Sequence, residues 1–117
     1  MTWFNSGGQP VPKWTTLDDD SATDVLGFVS PRYTMVLSIW CTETAGNTPN
    51  LTIEVYDGTT SYALRKEKAM TAKETVVIDE PFPLNQNQTI RVTSSATGGG
   101  VDVMVVYLLP TLGGARA

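Results

Sequence analysis

Apolar and polar residues alternate in steps of two along most of this chain, and the clearest departure from that rhythm lies near its end. Over Val101–Leu109 (VDVMVVYLL), Val101, Val103, Val105 and Tyr107 fall on one side of an extended strand, and Met104, Val106 and Leu108 fall on the other. From Val103 onward both sides are apolar. A strand of a small antiparallel domain meets the core with one side only, so the second side needs a cover, from the N-terminal segment or from a neighbouring subunit. The pattern predicts a component of an assembly.

The remaining segments read as shorter strands. Residues 51–56 (LTIEVY) alternate most cleanly, with Leu51, Ile53 and Val55 inward and Thr52, Glu54 and Tyr56 outward. Residues 33–42 (YTMVLSIWCT) place Met35, Leu37, Ile39 and Cys41 on one side and Val36, Ser38 and Trp40 on the other. Further strands are predicted over 24–29, 61–65, 74–79 and 89–94. Breakers separate them: Pro31, a loop over 43–50 with Gly46 and Pro49, the hairpin signal Asp57-Gly58, a charged irregular stretch over 66–73, and the prolines at 81 and 83. The Gly98-Gly99-Gly100 run reads as a turn that needs positive φ. Short strands about every ten residues predict an all-β fold, a single antiparallel β-sandwich of jelly-roll or Ig-like type with seven to eight strands.

Residues 1–22 differ in kind. They hold Gly7-Gly8, Pro10, Pro12 and the run Asp18-Asp19-Asp20, with neither helical nor strand periodicity, and are read as an extended N-terminal arm. The sandwich is expected over 23–110 and a second tail over 111–117. The arm carries Trp3, Phe4 and Trp14, which disordered tails rarely contain. Burial of one such ring, about 200 Å² at about 25 cal/mol per Å², contributes a few kcal/mol against about 1–2 kcal/mol per residue ordered. These rings are expected to dock in a groove of their own domain or of a neighbour.

Composition narrows the chemistry. With 117 residues, one domain is expected. Twelve acidic and eight basic residues give a net charge of −4, and of the basic ones only Arg65, Lys66 and Lys68 cluster, diluted by Glu67 and Glu74. Nucleic acid needs a concentrated basic footprint and is not an expected partner. The start of the chain lacks the basic and apolar regions of a signal peptide. The uninterrupted apolar run at 103–109 is far too short for a membrane span. The expectation is synthesis in the cytosol and no membrane partner. Cys41, the one cysteine, sits in an apolar run and reads as a buried small hydrophobe.

No histidine is present to activate a serine. Asp18, Asp19, Asp20 and Asp24 lack the spacing of a calcium loop. Glu43, Asp57, Asp79, Glu80 and Asp102 form no recognisable acid/base pair and read as surface charge. The triple glycine joins two strands, whereas phosphate cradles feed a helix. No catalytic residue, metal site or cofactor is expected, and the chain is read as a non-enzyme. Trp40 and Tyr56 both point away from their strands' apolar sides. If they share one sheet's outer surface they form an aromatic patch, for self-association or for stacking on sugar rings. The alternative is that Trp40 belongs to the core.

The order of segments over 25–109 resembles that of small β-sandwich virion proteins of tailed bacteriophages. The likeness is carried by SPRY, MVLSIWCTET, LTIEVYDGTT, YALRK, ETVVIDEPFPLNQNQTIRVTSSA and VDVMVVYLL. The resemblance implies a virion protein assembled in the host cytoplasm, a capsid decoration protein or a neck or tail accessory. It also implies a homo-oligomer, a trimer or higher ring, on major capsid or neck and tail proteins. The interface is expected at Trp3, Phe4, Trp14, Trp40, Tyr56, Met104, Val106 and Leu108. The rival expectation is a carbohydrate- or receptor-binding module.

Overall fold

Segments with a two-residue rhythm form strands because only that period puts every apolar side chain on one face. The computed structural model describes residues 8–27 and 33–109. In chain order the strands are β1 (Gln9–Leu17), β2 (Thr23–Gly27), β3 (Tyr33–Glu43), β4 (Asn50–Tyr56), β5 (Ser61–Ala69), β6 (Thr75–Ile78), β7 (Phe82–Asn85), β8 (Thr89–Ser94) and β9 (Val101–Leu109). One sheet runs β1-β9-β3-β6 with β7 also on β3, and the other runs β2-β8-β4-β5. All pairings are antiparallel.

Strands β6 and β7 lie along the same side of β3, opposite residues 39–42 and 33–36 respectively. Counted as one interrupted strand, they leave eight, ordered first-eighth-third-sixth in one sheet and second-seventh-fourth-fifth in the other. That is the strand order of a jelly roll, two Greek keys folded into a β-sandwich. Between the sheets lie Leu17, Leu26, Ile39, Cys41, Leu51, Ile53, Leu84, Ile90, Val92 and the inner side of β9, Val101, Val103 and Val105, all buried.

Four local features depart from the sequence expectations. The stretch read as an arm is, over Gln9–Leu17, the edge strand of the first sheet, in continuous register with β9 from Gln9↔Leu109 to Leu17↔Val101. Its period was hidden because its inner side carries Gln9, Val11, Lys13 and Thr15 ahead of Leu17, and its outer side carries two prolines. Strand β3 has a register shift between Val36 and Ser38. The bulge turns Thr34 and Val36 into the core beside Ile39 and Cys41. Met35 and Leu37, expected in the core, are only half-buried.

Strand β5 continues through Lys66 to Ala69, past the expected irregular stretch, with Glu67 at φ 49 absorbing a register irregularity. Strand β7 begins directly after Pro81 and contains Pro83, the two prolines expected to end the preceding strand. An edge position tolerates them because a missing N–H costs nothing where no partner strand lies.

Candidate functional site

The outer side of β9 lies in the middle of its sheet, and the register fixes its neighbours. Trp14 of β1 stands opposite Met104, and Trp40 of β3 stands opposite Met104 from the other side, with Val77 of β6 beyond it. The next row is Pro12, Val106 and Ser38, and beyond it Pro10 stands opposite Leu108. Trp14 is 66% exposed and Trp40 41% exposed. With rings of up to about 250 Å², these two side chains alone leave roughly 250 Å² of aromatic surface in water. Its burial is worth about 6 kcal/mol at about 25 cal/mol per Å², before the cost of association.

The strip has a polar upper margin. Thr16, Asp102, Thr42 and Thr75 stand in one cross-strand row. Thr16 Oγ1 donates to Asp102 Oδ1 at 2.9 Å, and the Thr42 and Thr75 hydroxyls are hydrogen-bonded at 2.9 Å. The Trp40 indole donates its Nε1–H to Ser38 Oγ at 3.0 Å, which ties that ring along its own strand.

Five of the residues expected at an interface, Trp14, Trp40, Met104, Val106 and Leu108, therefore meet on one face. Tyr56 does not join them. It lies on the outer side of β4 in the other sheet, with the Arg91 guanidinium 3.8 Å from its ring centroid and its hydroxyl donating to the Gly58 carbonyl at 2.9 Å. The Trp40–Tyr56 patch considered from the sequence does not form, because the two strands belong to opposite sheets. Trp3 and Phe4 lie outside the described residues. Trp14 does not anchor its segment in a groove. Backbone pairing with β9 and the buried Leu17 hold that segment instead. Pro10, Pro12 and Val77 join the strip without having been foreseen. A signal for the first two exists in the constant register sum that pairs them with Leu108 and Val106.

The open edges of both sheets are blunted. Thr44 N–H donates to the Gly100 carbonyl, so even positions of β9 turn their backbone to β3 and odd positions to β1. In β1 the odd positions then bond to β9, and Pro10, Pro12, Trp14 and Thr16 face the open edge, where the two prolines offer no donor. Strand β5 carries Arg65, Lys66 and Lys68 and is bulged. Strands β6 and β7 are four residues each. Strand β2 has five, with a register shift.

The end of the sandwich next to the polar row is held by a buried carboxylate. Glu43, expected as surface charge, has no exposed surface. Its Oε1 accepts from the N–H groups of Gly46 and Lys73 at 2.9 Å, and its Oε2 from those of Ala45 and Asn47 at 3.0 Å. The Lys73 N–H foremost, with those of Asn47, Gly46 and Ala45, holds its pKa below the ordinary glutamate value, against the opposing pull of desolvation. Gly99 (φ +71) closes the same end. A Cβ there would lie 2.2 Å from the Leu17 carbonyl oxygen, so the expected glycine turn is also a close backbone approach. Burial pushes the Cys41 thiol up to about 12, which makes it an inert core group. Among the described residues, no cluster of three or more His, Cys, Asp or Glu side chains could hold a metal ion.

No protein-family model matches the chain, and no curated protein matches it either. Two solved structures similar to it are both crystal structures of a pentameric capsid protein isolated from metagenomic phage sequences. Each is 18% identical over 85% of this chain, with a TM-score of 0.46. The chain spans 60% and 59% of the length of those two chains.

Proposed function

We propose that this chain is a non-enzymatic structural protein of a tailed-phage virion, one that decorates the capsid and associates with copies of itself. Attachment at the neck or tail is the second placement. The observation that carries the reading is the row Trp14–Met104–Trp40, two exposed indoles in register across the outer face of a sheet. Rings left in water on an apolar strip with a polar margin mark a partner surface. The jelly-roll order is one that viral capsid and lectin domains share, and the segment pattern over 25–109 resembles phage virion proteins. Fold alone assigns no activity, so the reading rests on the surface.

Mass spectrometry of purified virions of the phage that encodes the chain tests the proposal. Presence in stoichiometric amounts in the capsid fraction supports decoration, and presence in the tail fraction supports the second placement. Absence from purified particles refutes both. The carbohydrate reading keeps one observation, the two tryptophans beside the hydroxyl row. It predicts retention on a glycan array that Trp40→Ala abolishes, and a blank array removes it.

A further inference from the structure

We propose that the outer face of the β1-β9-β3 strip packs against the same face of a second copy, across a two-fold axis running along β9. The inference rests on the self-associating reading above and specifies its surface and symmetry.

The strip carries no charge that a second copy would repel. An isologous contact sets residues near their own counterparts, so a charge at its centre meets a like charge. Pro10, Pro12, Trp14, Met104, Val106 and Trp40 make up the strip, and none is ionisable. Asp102, two residues from Met104 on the same side of β9, is the one carboxylate beside the strip and would face its own counterpart across the axis, so the contact ends at the Met104 row and leaves Asp102 in water, bonded to Thr16. The opposite outer face carries Asp24, Arg91 and Glu54 in one row.

The sheet edges are closed to a second copy. Strand addition, the other common route to self-association in β proteins, requires a long unblocked edge. Pro10 and Pro12 remove donors from β1, and the remaining edges are short, bulged or charged.

Trp14 and Trp40 stand one strand to either side of Met104 in the same row. A two-fold axis along β9 brings β1 of one copy over β3 of the other. The more exposed Trp14 then lies on the flatter Trp40, held down by its bond to Ser38, and Met104 meets Met104. The two indoles leave roughly 250 Å² per copy, and the prolines, Met104 and Val106 add to it, so the pair buries on the order of 500–1,000 Å², at or below the lower bound for a specific interface. The contact is therefore a weak one in free solution, with a dissociation constant in the micromolar range.

Sedimentation of the full-length chain over a concentration series tests this, together with two variants. A reversible dimer is expected, and Trp14→Ser raises its dissociation constant by about 30-fold or more at unchanged melting temperature, as loss of an aromatic hot spot does. Met104→Cys, treated with a bismaleimide that spans the separation of about 10 Å between packed sheets, is expected to give a covalent dimer. The buried thiol of Cys41 adds no background. A dimer or larger oligomer that Trp14→Ser leaves intact, or that Met104→Cys does not cross-link, overturns the proposed face while self-association stands. A chain that stays monomeric at millimolar concentration overturns the two-fold contact, and the presence of the chain in virions then decides the broader reading separately.

Discussion

The two outer faces of this sandwich are built from the same alternation and end in opposite chemical states. On the β2-β8-β4-β5 sheet, Arg91 pairs with Asp24 through Nε and Oδ1 at 2.6 Å and lies over the Tyr56 ring. Thr52 accepts the Glu67 N–H at 3.1 Å. That face satisfies itself in water. On the β1-β9-β3-β6 sheet, the outward positions are Trp14, Met104, Trp40, Val106 and two prolines, and among the described residues the two indoles stay exposed. Alternation assigns a residue to a side of its strand. The residue types on the outer side then decide whether the face pairs its own polar groups or leaves apolar surface in water.

Strand β9 allows the sharpest test, because its two sides do different work one residue apart. Val103→Asp puts a charge into the sealed core and should cost more than about 4 kcal/mol. That is a large part of a typical domain's stability, and the isolated chain should show no cooperative melting transition by circular dichroism. A chain that begins at Ser21 should fare almost as badly. It lacks β1 and bares the backbone of β9 over nine positions, so aggregation in light scattering is expected. A chain that begins at Gly8 should keep its fold.

Next in size is the frame that holds the faces in place. Glu43 has a folded-state pKa below its unfolded value. Its contribution is complete above the ordinary glutamate pKa of about 4.3 and is lost as the pH falls from there through the folded value. Asp57 and Glu74 are shifted in the same direction and add to the same acid limb. Glu43→Gln should lower the melting temperature at pH 7 and flatten the decline below pH about 4, measured by scanning calorimetry across pH. An unchanged acid limb would mean that the four N–H donors do not govern this end of the sandwich.

Met104→Glu, on the outer side of β9, should leave stability within about 1 kcal/mol and abolish self-association in sedimentation. Unfolding of the isolated chain would show that this side belongs to its own core. The smallest effect is expected on the self-sufficient face. Arg91→Met removes the ion pair and the ring stack there. It should lower the melting temperature slightly, less so at high salt, and leave the oligomeric state as it was.

Much of the fold is legible in the sequence. The strands over 51–56, 89–94 and 101–109 appear where alternation and turn residues put them, and two of the three glycines before β9, Gly99 and Gly100, take positive φ. Strands β1 and β7 escaped because prolines at an edge look like breaks when the position of the edge is unknown. The inner side of β3 was misread around the bulge, since a single extra residue inverts the parity of everything before it.

The sequence by itself determined that β9 is apolar on both sides, that the chain is an antiparallel sandwich, and that Cys41 belongs in the core. These follow from the two-residue period, which is local. Only the tertiary structure decided that Trp14 and Trp40 flank Met104, that Tyr56 lies on the opposite sheet, and that Glu43 is a buried brace for the loops of one end. Each depends on which strands become neighbours and in what register. That is set by packing two sheets over one core across distances the local pattern does not span.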